Sequence, residues 1–189
     1  MKHLLISFIF SVLSFVQVAG QNYIYYGDGQ YESTSSWEFK AVNPIRGEHP
    51  ELSIAKRNGG GYVLLYVSVI TPEQILKGDM YIFLANGQRI RCVDRGIRDH
   101  VDGRAISLYE LTNSEVDQLK RSHIAKIRYN LHIRGGFPSN ESFTAENHKY
   151  VFSVNPAIIG LSNGKKTEEK PKGKPYHETD LEVRNLFGY

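Results

Sequence analysis

The chain predicts a mainly β fold, an antiparallel β-sandwich or curled sheet with two short helices, and three observations lead there. Apolar and polar residues alternate with a period of two, most regularly where Ala125, Ile127, Tyr129, Leu131 and Ile133 interleave with Lys126, Arg128, Asn130, His132 and Arg134. Twelve tyrosines and nine phenylalanines favour pleated, half-buried strands over helices. Only two stretches carry helix-start signals, and both are short.

Ahead of these elements stands a leader. Lys2 supplies a positive charge, residues 4–18 are apolar apart from serines and one glutamine, and Val18-Ala19-Gly20 offers small residues for cleavage, the layout of a secretory signal peptide over residues 1–20. The apolar run is too short, and too soon followed by polar sequence, to read as a membrane span. The mature chain would start at Gln21 and fold as one domain over residues 21–160.

Residues 22–37 read as a short strand, a turn and a Ser/Thr-rich loop. Trp37, Phe39 and Ala41 then alternate with Glu38 and Lys40, so one face of this strand is expected to be buried. Leu52 and Ile54 suggest another strand before Asn58-Gly59-Gly60-Gly61, a run suited to a tight turn or a wide loop. Residues 62–70 are apolar at nearly every position, as expected of a central strand covered on both faces. Thr71-Pro72-Glu73-Gln74 combines a hydroxyl cap, a proline in the first turn and a glutamine three residues after the cap, and predicts a two-turn helix ending at Gly78.

Residues 80–93 carry a hairpin centred on Asn86-Gly87. A two-residue turn pairs Phe83 with Ile90 and Tyr81 with Cys92, which gathers Tyr81, Phe83, Ile90 and Cys92 on one apolar face and leaves Arg89 and Arg91 opposite. Residues 96–103 read as a charged loop and residues 104–111 as a strand. Thr112-Asn113-Ser114-Glu115 is a capping box opening a helix that buries Val116 and Leu119 and ends near Ser122. After the strand over residues 125–134 come a Gly135-Gly136 turn, a polar loop and a last strand with Tyr150, Phe152 and Val154. Residues 66–84 and 109–131 both read strand, threonine-started helix, strand, an echo that a duplication would leave.

Beyond Gly160 the pattern fails. Residues 165–174 hold five lysines and no apolar side chain to bury, so residues 161–189 are expected to form a Lys-rich, disordered C-terminal tail. Leu181, Val183, Leu186 and Phe187 near its end suggest a docking segment or a transient amphipathic turn.

The formal charge of +3 falls to +2 without Lys2, too small a surplus to imply nucleic acid as a partner. Cys92 is the only cysteine, so no intramolecular disulfide forms, and it stands far from the cleavage site where a lipid-modified cysteine would be. No nucleophile elbow, phosphate loop, paired-histidine motif or other cofactor signature is present, so catalysis is not expected and no cofactor is implied. Three groups of residues remain as candidates.

Asp99, His100 and Asp102 cluster in the charged loop and would be metal ligands, or would hold a catalytic histidine, in a metal-dependent hydrolase. Lys126, Arg128, His132 and Arg134 project from one strand face as a basic stripe for a protein partner or an acidic glycan, within a wider run that includes Lys120, Arg121 and His123. Tyr23, Tyr25, Tyr26, Tyr31 and Trp37 offer flat rings to sugars if they are exposed. Asn140-Glu141-Ser142 matches a glycosylation acceptor.

The run Leu108-Tyr109-Glu110-Leu111-Thr112, followed by Glu115, Leu119, Ile124, Ile127 and Arg128, resembles small exported β-rich domains of unknown function in Bacteroidetes-like Gram-negative bacteria. The likeness covers residues 61–154. It implies a cell-envelope, periplasmic or extracellular location and brings no activity or site residues with it. The expected function is a non-catalytic, exported binding module for an envelope protein or glycan. A metal-dependent hydrolase, and a structural subunit joined through a sheet edge with residues 181–189 pairing in trans, are the alternatives.

Overall fold

The computed structural model describes residues 22–42, 49–133, 141–148 and 174–188. The leader over residues 1–20, Arg134, Asn140, the strand expected around Tyr150, Phe152 and Val154, and most of the lysine-rich stretch lie outside them. The described chain is mainly β, curled into a half-barrel of antiparallel strands with two helices.

Thirteen strands lead to this shape: β1 (Asn22–Tyr26), β2 (Gly29–Ser33), β3 (Trp37–Glu38), β4 (Lys40–Ala41), β5 (Glu51–Arg57), β6 (Gly60–Ser68), β7 (Gln74–Leu76), β8 (Met80–Leu84), β9 (Arg89–Cys92), β10 (Arg98–Val101), β11 (Arg104–Thr112), β12 (Ile124–Ile133) and β13 (Glu141–Glu146). The helices are α1 (Asn113–Arg121) and α2 (Thr179–Phe187). One sheet runs β1-β2-β5-β6-β11-β10 with β3 also on β5; the other runs β4-β13-β12-β8-β9 with β7 also on β12. The chain passes from the first sheet to the second at Phe39. Trp37 pairs with Leu52 and Ala41 with Ala145, so the fully buried Phe39 sits at the corner between them.

One core fills the space between the sheets. Leu52, Ile54, Val63, Leu65 and Val67 from the first meet Ile82, Ile90, Ile127 and Leu131 from the second, and each such side chain contributes roughly 1.5–3 kcal/mol through burial. As expected, β6 is central and covered on both faces. On its outer side the β1–β2 hairpin brings Ile24 onto Ala55, Tyr62, Leu64 and Leu108, a second and smaller apolar cluster. Gly60 makes the close approach at the start of β6 possible: its φ is +146° and a Cβ there would lie 2.0 Å from the Leu111 carbonyl oxygen.

Four local expectations are corrected. The Thr71-Pro72-Glu73-Gln74 signals make a single turn, in which the Gln74 N–H donates to the Thr71 carbonyl and the Gln74 Oε1 accepts from the Ile70 and Thr71 N–H groups. Gln74, Ile75 and Leu76 then pair with β12, and without this helix the echo between residues 66–84 and 109–131 disappears. The charged loop contains a strand, β10, joined to β11 by a two-residue turn with Asp102 at φ +51° and Gly103 at φ +72°. The polar loop after β12 contains β13, which pairs with β12 over six residues.

The fourth correction concerns the β8–β9 hairpin, which is shifted by one residue. Leu84 O accepts from Gly87 N–H and Leu84 N–H donates to Gln88 O, so three residues, Ala85, Asn86 and Gly87 (φ +86°), form the loop. Met80 pairs with Cys92 and Ile82 with Ile90, facing the core; Tyr81 pairs with Arg91 and Phe83 with Arg89, facing outward.

α1 begins as expected. Thr112 Oγ1 accepts from the Glu115 N–H, the Glu115 carboxylate accepts from the Thr112 N–H, and Val116 and Leu119 are buried. Of the stretch assigned to a C-terminal tail, residues 174–188 are described, and Leu181–Phe187 belong to α2, which docks on the body with Val183 fully buried.

Candidate functional site

β12 is the central strand of the second sheet, and its alternation holds from Lys126 onward. Ile127, Tyr129 and Leu131 point inward while Lys126, Arg128, Asn130 and His132 point outward. A bulge between Ile124 and Lys126 resets the phase at the strand's start, so Ile124, read as outward by strict alternation, is buried. Of the predicted stripe, Lys126 and Arg128 are exposed and His132 is half-buried beside β7, where it pairs with Ile75; Arg134 lies outside the described residues.

The wider basic run does not stay together. Lys120 and Arg121 belong to α1, where Lys120 lies 3.7 Å from Asp117 and Arg121 Nε donates to the Asp117 carbonyl; His123 stacks on Tyr176 at 4.5 Å between ring centroids.

What the sequence reading missed is the neighbouring hairpin. Lys126 pairs with Phe83, which pairs with Arg89; Arg128 pairs with Tyr81, which pairs with Arg91. Cross-strand partners share a face, so the outside of the second sheet carries two rows in which cations alternate with rings. With strands about 4.8 Å apart, the cations of each row stand roughly 10 Å from one another. The Arg89 guanidinium lies 5.2 Å from the Tyr81 ring centroid and the Lys126 ammonium 5.1 Å from that of Phe83, so the rings hold the cations by cation–π contact while leaving their N–H groups for a ligand.

On the far side Glu146 and Thr144 pair with Lys126 and Arg128, and Lys40 pairs with Glu146. Arg91 is bound to Asp79 at 2.6 Å, whereas Arg128 enters none of the ion pairs of the described residues. The signal for this arrangement lay in Arg89 and Arg91 themselves. The three-residue loop puts both arginines beside the half-buried Tyr81 and Phe83, whereas the two-residue turn would set them beside Ile82 and Leu84.

The metal reading meets a different geometry. Asp99 and His100 are successive residues of β10, so their side chains leave opposite faces of the sheet, and both are exposed. Asp99 Oδ1 accepts from the His100 backbone N–H at 2.7 Å, and Asp102 occupies the left-handed turn. Asp-Gly is a favoured pair for a type I′ turn, which accounts for Asp102 without a ligand. Among the described residues no group of three or more His, Cys, Asp or Glu side chains is placed to hold a metal ion.

Cys92 faces the core, where burial pushes its thiol well above the ordinary range and removes it as a nucleophile at neutral pH. Of the aromatic candidates, Trp37 is core; Tyr23, Tyr25 and Tyr26 are exposed; Tyr26 and Tyr31 pack edge-on against Tyr62, with the Arg57 guanidinium 5.3 Å from the Tyr62 ring centroid.

No family model, curated protein or solved structure matches this chain. Its own geometry is therefore what bears on function. No helix among the described residues is long and apolar enough to cross a membrane.

Proposed function

We propose that the protein is an exported, non-catalytic β-domain that binds an acidic glycan, a polysaccharide bearing carboxylate or sulfate groups, on the outer face of its second sheet. The observation that carries this reading is the pair of cation–ring rows formed by Arg89, Phe83 and Lys126 and by Arg91, Tyr81 and Arg128. A pleated face with spaced positive charges matches an extended chain whose negative charges recur along its length, and the rings between the cations add apolar contact for sugar C–H surfaces. Export rests on the leader, and the envelope or extracellular setting on the resemblance noted above. Anionic glycans are the abundant repeating polyanions of such a setting.

Retention on immobilised polygalacturonate and dextran sulfate tests the reading. Wild-type protein is expected to bind at low salt and to elute as ionic strength rises. Lys126→Glu with Arg128→Glu should weaken binding roughly tenfold or more, since about 1.4 kcal/mol lost across two contacts already reaches that. Equal retention of wild type and double variant would remove the face from the account.

A further inference from the structure

A groove of about 220 Å³ lies elsewhere, between the β1–β2 hairpin and the outer surface of the first sheet. Its lining includes an ion pair and two tyrosines. Arg104 Nη1 lies 3.1 Å from Glu51 Oε1, and the other carboxylate oxygen, Oε2, accepts from Ser36 Oγ at 3.1 Å, so Glu51 is held from two sides in one orientation. Tyr66 and Tyr23 line the groove together with the hydroxyls of Ser33 and Ser53. Burial first, and the Glu51 carboxylate second, push the Tyr66 phenol above its ordinary value, while a hydrogen bond with Ser53 acts the other way.

We propose that this groove binds one neutral sugar ring. The guanidinium and carboxylate cancel in charge, so an ionic ligand gains little there, whereas adjacent hydroxyls can donate to Glu51 and accept from Arg104 at once. Flat tyrosine faces suit the apolar side of a pyranose. The volume falls below the roughly 300 Å³ at which sites for drug-sized ligands begin, which limits the occupant to a single ring or the end of a chain. This site is independent of the basic face: it uses other strands, the other sheet and a ligand without charge.

Saturation-transfer NMR with methyl glycosides of glucose, galactose, mannose, xylose and N-acetylglucosamine tests it, with thermal melting as the check that each variant is folded. Transfer to at least one glycoside is expected. Glu51→Gln, which keeps the side chain's shape, and Tyr66→Phe, which keeps its ring, should each raise the dissociation constant about tenfold, the size of one lost hydrogen bond to a charged or buried partner. Arg128→Glu should leave it unchanged. Absence of transfer to every glycoside, transfer indifferent to both groove variants, or loss confined to Arg128→Glu would each overturn the assignment.

Discussion

At the scale of single residues, several side chains that look like chemistry in the sequence are fasteners in the fold. Asp79 is the clearest. Its Oδ1 accepts from the Asp94 N–H at 2.9 Å and its Oδ2 from Arg91 Nε at 2.6 Å, while Asp94 in turn accepts from the Gly78 N–H and pairs with Arg98. The Asp94 backbone hydrogen bond first, and Arg91 after it, hold the Asp79 carboxyl below the usual carboxylate range against the opposing effect of burial. A folded-state pKa below the unfolded one means that the stabilisation is complete above the unfolded value, about 3.9, and is lost as pH falls through the folded value. Asp79→Asn is therefore expected to lower the urea midpoint at pH 7, with the gap to wild type closing below about pH 4. A gap that stays constant across that range would show that the ionised form contributes nothing. Asp102 belongs to the same class: its left-handed φ of +51° explains an aspartate before a glycine better than a ligand role does.

At the scale of elements, two similar signals had opposite outcomes, and the difference is physical. Thr112 and Glu115 cap a helix because Val116 and Leu119 follow at a spacing that buries one face over nine residues. Thr71 and Gln74 are followed by only Ile75, Leu76 and Lys77 before Gly78 at φ +97°, too few to offset helix nucleation, while Leu131 to Ile133 of β12, beyond its pairing with β8, offer a ladder at once. Thr112→Ala should accordingly cost about 1 kcal/mol, read as a shift in the denaturation midpoint with an unchanged slope. A loss much below that would mean the Glu115 carboxylate alone suffices at this end. The alternation of β12 and the capping box were legible because each depends on neighbours in sequence. The register of β8 on β9 was not, because Asn86-Gly87 serves both a two-residue turn and the last two positions of a three-residue one, and only packing against the first sheet selects between them. For the same reason Lys126 and Arg128 were visible as candidates and Arg89, Arg91, Tyr81 and Phe83 were not.

At the scale of the whole molecule, the part least legible in the sequence is the docking of α2, because its Glu182 reaches Ser35 and Trp37, more than a hundred positions away. Ile124 pairs with Leu84 of β8 but lies beyond the ladder with β13, which starts at Lys126, and two buried side chains take up its backbone groups: Thr179 Oγ1 accepts from the Ile124 N–H at 2.8 Å, and Asn147 Nδ2 donates to the Ile124 carbonyl and to that of His177. Glu182 then clasps the loop between β2 and β3. Its carboxylate accepts from the Ser35 N–H at 3.1 Å, from Ser35 Oγ at 2.6 Å and from the Trp37 indole N–H at 2.8 Å, just before the chain turns into the second sheet at Phe39. Removing that carboxylate strands a buried indole donor at the corner where the two sheets meet. Glu182→Ala is expected to cost about 1.5–3 kcal/mol, the range for hydrogen bonds to a charged group. Trp37 is the only tryptophan of the chain, so the same variant carries its own reporter. If α2 is a structural part of the domain, its loosening should admit water to the indole and shift the emission to longer wavelength under native conditions; unchanged emission together with an unchanged midpoint would make the helix an appendage that the β-fold does not need.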